Sequence, residues 1–341
     1  MNDGRVIVAQ AGIANHGRTI LNAVRDSGNL KLVACYDPNE EASREVAREF
    51  SVDRAPDFDA LIQRSDVDAV VLATPNHLHY AQAKKAAAAG KHVFVEKPIA
   101  NTIAEAQEMI RFMNDAGRTL MVGHNTRRRR VFRRAKALLD ERRIGTIAAV
   151  EANLSRPAGL QSGVPRWKTD PVLCPLLPMI QLGIHFVDTI SYLFSPIRKV
   201  ACVASHAAIP GDIYDVASAV LQLESGIPVV LTSSYVSADE YVLRIFGTEG
   251  TIHCFPLKLR LDVLKNGEVK ETLEEDFSDE GAESYILEMR EFGKCILDHT
   301  QPETDGGEAL HALAAVEAMM QSVKTNFFVS VYEILKKAAE K

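Results

Sequence analysis

Short apolar runs alternate with helical segments through the first third of this chain, and the first run leads straight into a glycine-bearing loop. Arg5 to Ala11 (Arg-Val-Ile-Val-Ala-Gln-Ala) reads as a buried strand and continues into Gly12-Ile13-Ala14-Asn15-His16-Gly17, which opens a helix through Ile20, Leu21 and Val24. A strand, a glycine turn and a helix in that order restrict the fold to a parallel sheet with covered faces. Gly12 permits the tight turn and Gly17 lets the helix pack closely on the strand. The pattern is that of a dinucleotide-binding loop with one departure: the middle position, where backbone nears a pyrophosphate, is Ala14. Its methyl group should displace the phosphates slightly without excluding them.

The second apolar run, Leu30 to Tyr36, ends at Asp37, close to the offset expected for an acid that accepts hydrogen bonds from the adenosine ribose hydroxyls. A carboxylate there repels a 2′-phosphate, and Pro38 and Asn39 behind it bring no positive charge, so NAD is expected rather than NADP. Further strands are expected at Ala69 to Ala73, His92 to Val95 and Thr119 to Val122. Between them a helix over Ala81 to Ala89 stops at Gly90, and another starts at the capping box Thr102-Ile103-Ala104-Glu105. Glu96-Lys97-Pro98 therefore lies at the carboxyl end of a parallel strand, the edge at which open α/β sheets bind ligands.

Composition limits the alternatives. Of 341 residues, 47% are hydrophobic and 25% charged, ordinary for a globular chain long enough for two domains. A net charge of -6 argues against a general nucleic-acid binder. The amino terminus has no basic region or apolar signal core, and the apolar stretch Pro171 to Val187 is broken by prolines, Gln181 and His185, so no membrane association is expected. Five cysteines without paired spacing fit a reducing cytoplasm, and His77 and His79 lack a third ligand at a useful spacing, so no metal site is expected.

After about residue 125 the pattern changes to longer strands, Ile147 to Ser155, Arg198 to Ser205, Val216 to Leu223, Val229 to Val236, Tyr241 to Phe246 and Thr251 to Phe255, with a hairpin at Asn266-Gly267. Helices are expected at Leu182 to Phe194, Ser284 to Asp298 and Gly307 to Val323. The reading is an N-terminal doubly wound parallel sheet over 1–124 and a C-terminal α/β domain with a mainly antiparallel open sheet over 125–341. Arg127 to Arg130, Arg133 and Arg134 concentrate positive charge; a solvated basic helix face is expected, with Arg127 best placed to meet an anionic substrate.

The glycine loop, Thr74-Pro75-Asn76-His77-Leu78-His79, Glu96-Lys97-Pro98, Gln181-Leu182-Gly183-Ile184-His185, Gly247-Thr248-Glu249-Gly250 and Asp305 to Leu310 occur in one family's order. The chain resembles the glucose-fructose oxidoreductase and inositol dehydrogenase (Gfo/Idh/MocA) family over nearly its whole length. The resemblance implies a Rossmann domain, a second domain whose open sheet makes subunit contacts in a homodimer or homotetramer, and nicotinamide-dependent redox chemistry at a carbinol of a sugar, sugar derivative or cyclitol. It places Gly12, Ile13, Ala14, Gly17, Asp37, Thr74, Pro75, Asn76, His79, Glu96 and Lys97 around the cofactor, with Lys97 and His185 catalytic.

The family's Asp-x-Gly-x-His segment has Gln181 in its acidic position, and an amide donates and accepts hydrogen bonds but cannot serve as a base. Proton transfer then falls mainly on His185, with an unperturbed pKa of about 6.5. Lys97 would stabilise the developing alkoxide or relay the proton. Asp188 is placed to orient His185 or to be structural. Trp167 suits stacking on a sugar or ordinary packing, and Asn76, Tyr80, Asn125, Arg156 and Lys168 complete the candidates for the pocket. The missing acid leaves alternatives open: a lyase, glycosidase or epimerase that oxidises its substrate transiently, or a non-catalytic nucleotide sensor.

Overall fold

The computed structural model describes residues 4–162 and 164–339. The chain divides into two compact units, Met1–Asn125 with Ala282–Leu310, and Thr126–Gly281 with His311–Lys341. Beyond the boundary expected at 124/125, the chain thus returns to its first unit.

That unit runs β1 (Val6–Ala11), α1 (His16–Asp26), β2 (Leu30–Tyr36), α2 (Glu40–Phe50), β3 (Asp53–Arg54), α3 (Phe58–Ile62), β4 (Ala69–Leu72), α4 (Asn76–Ala88), β5 (His92–Glu96), α5 (Ile103–Asp115) and β6 (Leu120–Gly123). The strands form a parallel sheet in the order β3-β2-β1-β4-β5-β6, so the chain changes direction between β1 and β4. Such a switch leaves a crevice outside the strand ends. Residues of β4 and of β5 are buried throughout, as a doubly covered sheet requires. Helix α4 starts earlier than expected, at Asn76, directly after Pro75. The alanine-rich part sets the expectation at Ala81, whereas the helix follows directly on Pro75, which takes the N-cap position with ψ 138°. At α5 the capping box forms: Thr102 accepts from Glu105 N–H, and Glu105 reaches back to Thr102 N–H.

The second unit contains α6 (Arg130–Asp140), β7 (Ile147–Ser155), α7 (Ile184–Leu193), β8 (Ile197–Ser205), β9 (Val216–Leu223), β10 (Pro228–Ser234), β11 (Glu240–Gly247), β12 (Gly250–Cys254), β13 (Lys258–Lys265) and β14 (Glu268–Asp276). There follow α8 (Glu283–Asp298), α9 (Gly306–Thr325), β15 (Val329–Ser330) and α10 (Val331–Ala339). The sheet order is β14-β13-β12-β11-β7-β10-β9-β8-β15, antiparallel apart from the β7–β10 pair. Asn266 and Gly267 both take positive φ, 55° and 80°, which is what a two-residue hairpin between β13 and β14 demands. One face of the sheet is covered by α6 and α7, where Phe132, Phe186 and Tyr241 meet at ring separations of 5.0 to 6.3 Å. On β8, β9 and β10, Val203, Val220 and Val230 stay exposed.

Helix α8 belongs to the first unit because its apolar stripe is spent there: Met289, Phe292 and Ile296 join Val6, Val8, Ile20 and Phe94 in one core. Phe292 meets Phe94 edge-to-face at 5.8 Å. Each such buried ring is worth about 1.5–3 kcal/mol. The edge of β6 is closed by the segment after α8, where Thr304 accepts Val122 N–H and donates its hydroxyl to Val122 O.

Candidate functional site

The glycine loop is drawn tightly against β4. Gly12 has φ +80°, and a Cβ there would stand 2.4 Å from the Ala73 carbonyl oxygen; one at Gly17 would stand 2.3 Å from Gly12 O. Any side chain at either position would force the loop outward. Gln10, fully buried in β1, donates through Nε2 to Gly12 O and Gly17 O at 2.9 and 2.7 Å and so pins both arms of the turn. Helix α1 then begins without an acid in its first turn, which suits its positive end to a phosphate. At the end of β2, Asp37 accepts Ile13 N–H at 3.1 Å and Asn39 N–H at 3.0 Å. A carboxylate offers about four acceptor positions, so capacity for ribose hydroxyls remains. The residues present fit a dinucleotide.

Around Lys97 the strand ends are tied together. Glu96 is buried; its Oε1 lies 3.1 Å from His16 Nε2 and its Oε2 accepts Lys97 N–H at 3.2 Å. On β6, Gly123 makes room for that carboxylate, since a Cβ would meet Oε1 at 2.8 Å. Burial alone would push the Glu96 carboxyl up, but His16, by charge and hydrogen bond, and then Lys97 and His79 more than offset it and hold it below the usual carboxylate range. His79 is buried with Nδ1 2.8 Å from Pro98 O and Nε2 2.9 Å from Thr74 O. Burial pushes its pKa down against those two carbonyls, so the ring is neutral and donates to one of them. Thr74 donates to Gln82, Asn76 donates to Asn101, and Pro75 stands at the start of α4. Thr74, Pro75, Asn76, His79, Glu96 and Lys97 therefore share the carboxyl ends of β4 and β5. Tyr80 points elsewhere, to Glu108 on α5.

In the second unit, His185 stands in the first turn of α7, with Nδ1 3.1 Å from Thr126 Oγ1. The expected helix from Leu182 begins instead as a π-turn over Met179–Gly183, which places Gln181 on a widened turn, a feature frequent at functional sites. Gln181 Nε2 donates to Cys174 Sγ at 3.4 Å. Lys168 lies 5.5 Å from the Trp167 ring centroid and 3.4 Å from Tyr235 Oη. Arg156 is exposed, 4.0 Å from Asp239. Asn125, in the first unit, donates to Ser284 at 3.1 Å.

The arginine cluster does not form the solvated face expected of it. Arg127 and Arg128 are buried, and Arg127 grips both oxygens of Asp188 at 2.9 and 2.6 Å. Arg130 reaches Asp279, Arg134 reaches Glu275 and Arg143 reaches Glu271. The cause is β14 and the segment after it, whose acids lie against α6. Asp188 accordingly enters any site with both oxygens already engaged.

Comparison with known proteins agrees with this architecture. Residues 6–124 match the model of the oxidoreductase family with an NAD-binding Rossmann fold, and 132–253 match the GFO/IDH/MocA C-terminal domain. The chain belongs to the Gfo/Idh/MocA oxidoreductase family. The inositol 2-dehydrogenase of Rhizobium meliloti is 26% identical, covering 94% of this chain and 97% of its own. The NADP-linked D-xylose 1-dehydrogenase of Haloarcula marismortui is 28% identical over 76% of this chain and 73% of its own. A levoglucosan dehydrogenase solved with NADH and levoglucosan has the same fold, with TM-score 0.87 at 22% identity, covering 96% of this chain and 99% of that one.

The first unit is thus an NAD-binding Rossmann domain. Within this Gfo/Idh/MocA chain, sequence reasoning missed Gln10 and His16 as ties of the glycine loop in the first unit, and Thr126 as the partner of His185 in the second. Gln10 left a signal, a polar side chain inside an apolar strand. Thr126 left none, because its partner His185 is distant in sequence. No group of three or more metal-binding side chains occurs among the described residues, and no described helix is long and apolar enough to cross a membrane.

Proposed function

We propose that the protein is an NAD-dependent dehydrogenase acting on a carbinol of a sugar, sugar derivative or cyclitol, with Lys97 and His185 both engaged by the reacting hydroxyl. The observation that carries this is the tie from the glycine loop through His16 and Glu96 to Lys97, which fixes a lysine at the strand end of an NAD-binding domain. The named substrates of the relatives, xylose and inositol, point to the same substrate class. Asp37 favours NAD over NADP through its charge beside the ribose position.

Bound NAD would supply the acceptor for the hydride leaving the carbinol carbon. His185 takes the hydroxyl proton, with its ring oriented by Thr126, and the carbon–oxygen single bond becomes a carbonyl. Lys97 holds the oxygen and stabilises its negative charge as the proton departs. Gln181, kept in place by Cys174, positions a neighbouring hydroxyl. Trp167, Lys168, Arg156 and Asn125 contribute to substrate recognition, and Asp188 acts through Arg127 by bracing α7. Val203, Val220 and Val230 offer an apolar sheet face for a homodimer or homotetramer.

The test is reduction of NAD, followed by absorbance, across a panel of aldoses, anhydro-sugars and inositols, with NADP in parallel. His185→Ala should lower kcat by at least about 100-fold, the usual contribution of a general base. Unchanged kcat in that variant, or no NADH formed with any polyol, overturns the reading; turnover with retained cofactor and no net NADH would move the chain to transient-oxidation chemistry.

A further inference from the structure

The glycine loop and the strand end of Lys97 are joined by one pair of side chains. His16 is the first residue of α1 and its side chain is 47% exposed, whereas the Glu96 carboxylate it meets is 7% exposed. Glu96 has no room to turn away, since Gly123 closes one side and its Oε2 is bound by Lys97 N–H. A buried carboxylate needs compensating partners, and two groups able to carry positive charge are within reach of it: the imidazole of His16 and the ammonium of Lys97.

We propose that His16 is a positioning residue for Lys97: by taking up the charge of Glu96 at the glycine loop, it limits the pull of that carboxylate on the Lys97 ammonium and keeps the lysine reactive. The inference deepens the proposed function, because it rests on Lys97 acting at the reacting hydroxyl. The titratable groups facing Glu96 are His16 from α1, Lys97 on its own strand end and His79 from α4; β6 contributes Gly123, and Tyr285 of α8 packs edge-on against His16 at 5.6 Å. Burial holds the His79 pKa down and keeps that ring neutral. The charge of Glu96 is therefore shared between His16 and Lys97, and removing one partner hands it to the other. His16 is also the first residue of α1, the helix end that would hold a phosphate of the cofactor.

The test reads Lys97 directly and needs no substrate, so it is separable from failure of the dehydrogenase reading. The full-length protein, with and without NAD, is treated with a small acylating reagent over pH 7 to 10, and modification of Lys97 is followed by mass spectrometry. His16→Gln should slow Lys97 acylation roughly tenfold below its ionisation midpoint, the effect of about one unit of lysine pKa. Glu96→Gln should speed it by a similar factor, and the double variant should follow Glu96→Gln. Because His16 is half exposed and Glu96→Gln keeps the shape of the side chain, both variants are expected to fold; circular dichroism and thermal melting confirm it. Opposite shifts in the two single variants establish the pair as the control on Lys97. Shifts in the same direction, or no shift in either, overturn it.

Discussion

Two carboxylates in this chain are buried to a similar degree and are compensated in different ways. Asp188, with 1% of its side chain exposed, is clamped on both oxygens by Arg127, a permanent cation itself buried under the Tyr192 ring. Glu96, with 7% exposed, meets a half-exposed imidazole on one oxygen and a backbone N–H on the other. The first arrangement is a two-pronged clamp between buried partners, so its work is to hold α7 against the segment carrying Thr126 and Arg127. The second contains a histidine, a residue type whose unperturbed pKa is about 6.5, and it borders the lysine expected to do chemistry. Rigidity and adjustability are thus assigned to different carboxylates.

The largest effect follows from breaking the permanent pair. Asp188→Ala leaves a buried guanidinium without its counter-charge and should cost about 3–5 kcal/mol in urea unfolding at neutral pH. Arg127→Lys should cost less, because charge is retained while the two-pronged hydrogen bond is lost. If Asp188→Ala unfolds with wild-type stability, the pair is not the brace described and the contrast with Glu96 fails.

Much of the scaffold for these carboxylates is written locally. The apolar runs of β1, β4 and β5, the glycine turn, the Thr102 capping box and the Asn266-Gly267 hairpin all depend on neighbours within a few residues, so the sequence alone locates them. What it hides is set by distant partners. Helix α8 has an ordinary amphipathic pattern that does not say which core receives Phe292. The acids of β14 lie far from the arginines of α6 in sequence, so a basic run looked solvated when it is neutralised. The π-turn at Gln181 adds one residue to a helical turn and leaves no periodic mark. Lys97 and His185 were legible as residue types in a family pattern, but Thr126 and His16, which fix their surroundings, become visible only in three dimensions.

An intermediate case sharpens the comparison. Asp215, fully buried, is compensated by neither kind of cation but by three backbone N–H groups, those of Ala207, Ala208 and Ile209, at 2.7, 2.7 and 2.8 Å. Burial pushes its carboxyl up, and these donors pull it below the ordinary carboxylate range. A depressed folded pKa means that the contribution is present above the unfolded value and is lost as pH falls through the folded one. Asp215→Asn places an amide N–H against a backbone N–H and should cost about 2 kcal/mol at pH 7. The difference from wild type should shrink as the solution is taken from about pH 5 toward pH 3, a window set by the ordinary Asp pKa. A difference independent of pH would mean that the three N–H groups do not stabilise the charged form.

The smallest effect on stability is expected at Glu96, and that is what separates it from Asp188. Glu96→Gln keeps acceptors for Lys97 N–H and the His16 ring while removing a charge that is costly to bury, so neutral-pH stability should change by no more than about 1 kcal/mol. The Glu96 carboxyl is held below its usual range, first against the cost of burial and then by His16. Its stabilising contribution is therefore full above the unfolded value of about 4.3 and is lost as pH falls through the lower folded value. The variant lacks this slope, so urea midpoints of wild type and Glu96→Gln should converge, or cross in favour of the variant, as pH is taken from about 5 toward 3. Parallel curves would mean that the ionisation of Glu96 is not linked to folding, and that His16 is a neutral hydrogen-bond partner rather than a cation. A loss as large as that of Asp188→Ala would show instead that both carboxylates are braces, and would return Lys97 to a rigid setting.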